Sequence, residues 1–113
     1  MVKRLEQVNE LLRKEIAMAI EQLVETPNFL ITITRVNCTH DLTKAKVWLS
    51  VLPDNKAGTA LEIVRRQASL IRNTVKRKIT IRNTPQFSFV FDDTEKNATD
   101  IENALREINS GDI

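Results

Sequence analysis

A two-layer α+β domain, with helices on one side of a small three-stranded sheet, is the fold class this sequence predicts. Three observations carry that expectation. Apolar residues recur at helical spacing in three separate stretches, at strand spacing in three others, and every strand pattern has one apolar and one polar face. The order is helix, strand, strand, helix, strand, helix, and a chain of 113 residues fits one domain with a single core. We expect that domain to span residues 1–109, with a short tail at 110–113.

The first helix is marked by Leu5, Val8, Leu12, Ile16, Ala19, Ile20 and Leu23, which lie three or four residues apart on one face, and Thr26 and Pro27 bring it to a close. The first strand runs from Phe29 to Cys38. Ile31 and Ile33 alternate with Thr32 and Thr34, after which the apolar phase slips to Val36 and Cys38, as a bulge would produce. Thr39 to Thr43 turns the chain into a second strand, where Ala45, Val47, Leu49 and Val51 point one way and Lys44, Lys46, Trp48 and Ser50 the other, so the two strands should form a hairpin. Pro53, Asp54, Asn55 and Gly58 break the strand, and Leu61, Val64, Ala68, Ile71 and Val75 form a second helical stripe. Pro85 can begin the third strand, in which Phe87, Phe89 and Phe91 share one face and read as core. Asp92, Asp93 and Thr94 stop it and offer helix caps, and Ala98, Ile101, Leu105 and Ile108 give a closing amphipathic helix.

Charge is segregated along this framework. Residues 1–62 carry eight basic and eight acidic side chains. Between Val64 and Phe91 lie Arg65, Arg66, Arg72, Lys76, Arg77, Lys78 and Arg82 with no acidic residue, whereas residues 92–113 carry two basic against seven acidic. A solvated face usually interleaves both signs, so an uncompensated basic block points to a polyphosphate partner. On a helical wheel Arg65, Arg72 and Lys76 share one flank and Arg66 and Arg77 lie on the outer face. From Arg65 to Lys76 an unbroken helix would rise about 16 Å, a span matching several backbone phosphates. Lys44, Lys46 and Trp48 could add two cations and a stacking plane; the competing reading is a tryptophan that covers a neighbouring loop or terminus.

Enzymatic apparatus is not in view. Cys38, His40 and Asp41 are too close in one turn to converge as nucleophile, base and orienter, and Asp41 is better read as a turn residue bonding nearby amides. One cysteine and one histidine provide no usual zinc set, and two glycines form no phosphate loop. No catalytic residue, cofactor or metal site is expected. The single cysteine suits a reducing, cytosolic setting, and no apolar run has the length of a membrane span.

The hairpin sequence Val36-Asn37-Cys38-Thr39-His40-Asp41-Leu42-Thr43-Lys44-Ala45-Lys46-Val47 resembles the valine, Asp-Leu and Ala-x-Val pattern of the bacterial ribosome-binding factor A family. Ile71-Arg72, Lys76-Arg77-Lys78, and the stretch from Arg82 through Pro85, Phe87 and Phe89 to Asp92 resemble that family's Ile-Arg, basic helix end and Arg-x-x-Pro signature. The resemblance covers essentially the whole chain. It implies a type II KH-like domain, not an enzyme, that binds the small ribosomal subunit and its rRNA during late maturation, with links to rRNA processing and growth in the cold. A cytoplasmic monomer without membrane contact goes with it. The family's Ala-x-Gly kink between two helices falls here at Gln67-Ala68-Ser69, where serine stands in place of glycine, and an interruption of the second helix is expected there all the same. The same basic surface would also serve a general KH-type binder of single-stranded RNA or DNA, or a module that meets an acidic protein.

Overall fold

The structure, a computed structural model, describes residues 2–26, 28–80 and 83–92. Helix α1 spans Val2–Leu23, strand β1 Leu30–Cys38, strand β2 Lys44–Leu52, helix α2 Ala57–Arg66, helix α3 Ala68–Lys78 and strand β3 Gln86–Phe91. The expected closing helix, the tail at 110–113 and Arg82 lie outside the described residues. The strands form one sheet in the order β1-β2-β3, with β1 antiparallel and β3 parallel to the central β2. A parallel β2–β3 pair requires a crossover, and α2 and α3 are that crossover.

The burial of β2 alternates without a slip: Ala45, Val47, Leu49 and Val51 face the helices, and Lys44, Lys46, Trp48 and Ser50 the other side. In β1 the register shifts between Ile33 and Arg35, so Thr34 is the extra residue, and Ile33, Val36 and Cys38 can all point inward. The bulge is fastened from outside, for the Thr34 hydroxyl donates to a carboxylate oxygen of Asp92, just beyond β3. Leu12, Ile16, Ala19 and Ile20 of α1, Ala60, Leu61 and Val64 of α2, and Ile71 and Val75 of α3 close over the inner sheet face. Each large aliphatic side chain buried here contributes on the order of 1.5–3 kcal/mol relative to exposure. Phe89 is 2% exposed at the centre of this core, with Phe87 packed edge-on at 6.2 Å between ring centroids. Phe91 corrects the expectation that all three phenylalanines are core: at the last position of β3 it stays 37% exposed among the described residues.

The hairpin turn is held by one carboxylate. Asp41 Oδ1 accepts bonds from Thr39 Oγ1 at 2.6 Å, Thr43 Oγ1 at 2.8 Å and the Thr43 N–H at 3.1 Å. Leu42, next to it, is the one described non-glycine residue with positive φ, 59°, and its half-buried side chain packs on the core. The donors, the Thr39 hydroxyl first and then those of Thr43, stabilise the ionised carboxyl and hold its pKa down at about 2. A depressed folded-state pKa makes a contribution that is complete above the ordinary aspartate value and lost as pH falls through the folded one. The denaturation midpoint of the wild type should therefore exceed that of Asp41→Asn at neutral pH, and the gap should close between about pH 4 and about pH 2. Urea melts at a series of pH values measure it.

Candidate nucleic-acid interface

The basic block lies on α2, on α3 and in the segment after them, and the two helices have different partners. Helix α2 packs on β2 and β3, whereas α3 packs chiefly on α1. The turn between them is made at Gln67, whose φ of −95° and ψ of 7° serve as C-cap of one helix and N-cap of the next. Its N–H is shared between the carbonyls of Ile63 and Val64, each at 3.1 Å, and its own carbonyl accepts from the Ile71 N–H at 2.9 Å, where the α3 ladder resumes. That backbone conformation is open to any L residue, so the interruption needs no glycine. Ser69 is an ordinary exposed residue in the first turn of α3. Ser69→Gly should accordingly cost no more than about 0.5 kcal/mol through helix propensity alone, with the interruption retained. Thermal melting checks it, and a stabilised variant would mean that Ser69 carries strain.

The interruption sorts the cations into groups with different duties. Arg65 donates through its guanidinium to the Phe89 carbonyl at 2.9 Å and pins α2 to the edge strand. Arg72, half-buried, donates to the carbonyl of Thr84 at 2.6 Å and to that of Pro85 at 3.1 Å. These bonds clasp the linker that leads into β3. Arg66 pairs with Glu62 one turn back, an exposed ion pair of small energetic weight. The flank expected to present Arg65, Arg72 and Lys76 together is thus divided. Two of its arginines are engaged with main-chain carbonyls.

Lys76, Arg77 and Lys78 occupy the last turn of α3, all exposed and without a hydrogen-bond or ion-pair partner among the described residues. Part of their role there is local, since cations at a helix C-terminus offset its partial negative charge. Three full charges against about half an elementary charge still leave a strongly positive knob. Lys44 and Lys46 belong to the opposite side of the molecule, on the sheet face turned away from the helices.

That open face also holds a residue the sequence analysis missed. Arg35 sits directly across from Trp48 in the β1–β2 ladder, and its guanidinium carbon lies 3.7 Å from the indole centroid. Lys46 Nζ lies 5.2 Å from the same ring. The slip in β1 was the available signal: once Thr34 is counted as the bulge, Arg35 must face outward opposite β2.

Cys38 and His40 do not form a pair. The Cys38 side chain is buried beneath the helices, where desolvation pushes the thiol up to about 11, while His40 is exposed in the turn. Asp41 is engaged by the threonines that flank it. Among the described residues no group of three or more His, Cys, Asp or Glu side chains is placed to hold a metal ion, and no helix is long and apolar enough to cross a membrane.

Comparison with known proteins adds to this geometry. The family model described as ribosome-binding factor A matches residues 4–105. A ribosome-binding factor A of Akkermansia muciniphila is 36% identical over 108 residues, covering 96% of this chain and 86% of that protein. One from Desulforamulus reducens is 35% identical over 112 residues, covering 97% and 93%. Among solved structures, the crystal structure of ribosome-binding factor A from Thermus thermophilus superposes with a TM-score of 0.68 at 20% identity, covering 77% of this chain and 93% of that one. A homology model of the Thermus thermophilus factor, as fitted into the cryo-EM map of its 30S complex, matches with a TM-score of 0.65 at 21% identity, covering 74% and 90%.

Proposed function

The chain belongs to the ribosome-binding factor A family, and on that premise we propose that it docks on the small ribosomal subunit through small-subunit rRNA during late maturation. The observation that carries this reading is the Lys76, Arg77 and Lys78 cluster, without a partner among the described residues and presented at the end of a short helix that the break at Gln67 separates from α2. Attraction between such a cluster and an RNA backbone is long-ranged and independent of base identity. The 30S complex of the Thermus thermophilus factor supports the choice of partner. Family membership further supports a cytoplasmic assembly factor, tied to rRNA processing and cold adaptation, that acts by docking as a monomer without covalent chemistry.

Sedimentation tests it. The protein should travel with free small subunits and not with translating ribosomes. If the cluster engages three phosphates, affinity should fall about 20- to 40-fold between roughly 50 and 200 mM salt. A flat salt dependence would exclude a backbone-dominated contact. Equal binding to unrelated single strands would favour a general RNA binder.

A further inference from the structure

We infer that the open face of the sheet is a second RNA-contact surface, which takes an unstacked nucleotide of a single strand on Trp48 and its flanking phosphates on Lys44 and Lys46. The inference rests on the reading of the protein as an rRNA binder and adds a site on the side of the molecule away from the α3 cluster. The three strands contain three cations, Arg35, Lys44 and Lys46, all on this face, and no acidic residue. The carboxylate of Asp92, just beyond β3 and bonded to the Thr34 hydroxyl, offsets one of them and leaves the face positive among the described residues. Charge complementarity therefore favours a polyanion. Trp48 lies on the central strand, between Arg35 on β1 and Val90 on β3, and is partly exposed among the described residues. A partly exposed indole in the middle of a positively charged sheet is what a base needs as a stacking partner.

The two cations beside the ring differ in what they can do. Arg35, stacked at 3.7 Å, covers one side of the indole and fixes its orientation. Lys46, at 5.2 Å on a flexible four-carbon stem, can give way to a base and follow its phosphate. Asn37 and Ser88, flanking Lys46 in the two ladders, supply hydrogen-bonding groups beside the ring. A phosphate-only surface would have no use for the indole, and an apolar protein partner would have little use for three cations.

The sequence supplies its own probe, because Trp48 is the single tryptophan and there is no tyrosine. The full-length chain is titrated with single-stranded oligoadenylate and, separately, with inorganic polyphosphate, which has charge but no bases. Binding is followed in parallel by anisotropy of a labelled oligonucleotide. Oligoadenylate should quench most of the Trp48 emission, polyphosphate should not, and Trp48→Leu should weaken oligoadenylate binding about tenfold. Should Trp48→Leu fold poorly, Lys44→Ala with Lys46→Ala keeps the fluorophore and should reduce the affinity that the quenching reports. Oligonucleotide binding without quenching, equal quenching by polyphosphate, or an indole inaccessible to acrylamide in the free protein would each overturn the inference. So would a subunit-binding defect of Trp48→Leu unaccompanied by any quenching by RNA, which would assign the face to a protein. Wild-type co-sedimentation with small subunits, run alongside, separates the two levels: if it persists while Trp48 stays silent, only the second site fails, and if it is lost, the docking reading fails too.

Discussion

Replacing Lys76, Arg77 and Lys78 together by alanine should lower affinity for the small subunit by about two to three orders of magnitude near 0.1 M salt. Each counterion released into that medium contributes roughly 0.7 to 0.9 of a log unit, and three contacts are removed at once. The fold should survive, because the three side chains are exposed and bond to nothing among the described residues. Only their favourable interaction with the C-terminus of α3 is forfeited, a loss on the order of 1 kcal/mol. Glutamates at the same positions should be worse on both counts, adding repulsion from phosphate and from the helix carbonyls. Filter binding across a salt series gives the decisive signature: the slope of log affinity against log salt should become shallower by about two to three.

Arg72→Ala should behave in the opposite way, costing about 2–3 kcal/mol of stability, or about 10–20 °C in melting temperature for a domain of this size. Its guanidinium bonds to the carbonyls of Thr84 and Pro85, two buried residues of the linker before β3. Truncation would leave those acceptors without their charged donor. Lysine should restore only part of the loss, since a single ammonium cannot reproduce a planar fork that spans two carbonyls. Affinity per folded molecule should change far less than in the α3 cluster variant. Differential scanning calorimetry and binding on the same samples separate the two effects.

The fold was legible in particular residues because burial on one face imposes a period. The alternation from Lys44 to Leu52 defined β2 and its two faces, and the phase slip from Ile33 to Val36 marked the bulge. The position of the helix break was legible only through the family resemblance. Val64, Ala68, Ile71 and Val75 keep helical spacing straight through Gln67, so periodicity alone is equally consistent with one continuous rod. What separates α2 from α3 is tertiary: one rests on the sheet and the other on α1. The duties of the arginines were hidden for a related reason. A helical wheel places Arg65, Arg72 and Lys76 on one flank, but it cannot show that the main chain of Thr84, Pro85 and Phe89 returns beside two of them. Charge in a sequence shows that cations are present, and the neighbouring carbonyls decide which remain available to a phosphate.

The most direct test places a photoreactive residue at position 77, in the middle of the exposed cluster, and maps what it captures in cells during subunit assembly. The account predicts crosslinks to small-subunit rRNA that fade as salt is raised during capture from lysates and vanish when Lys76 and Lys78 are changed to glutamate. Crosslinks confined to ribosomal proteins, or none at all while the protein still sediments with small subunits, would contradict it.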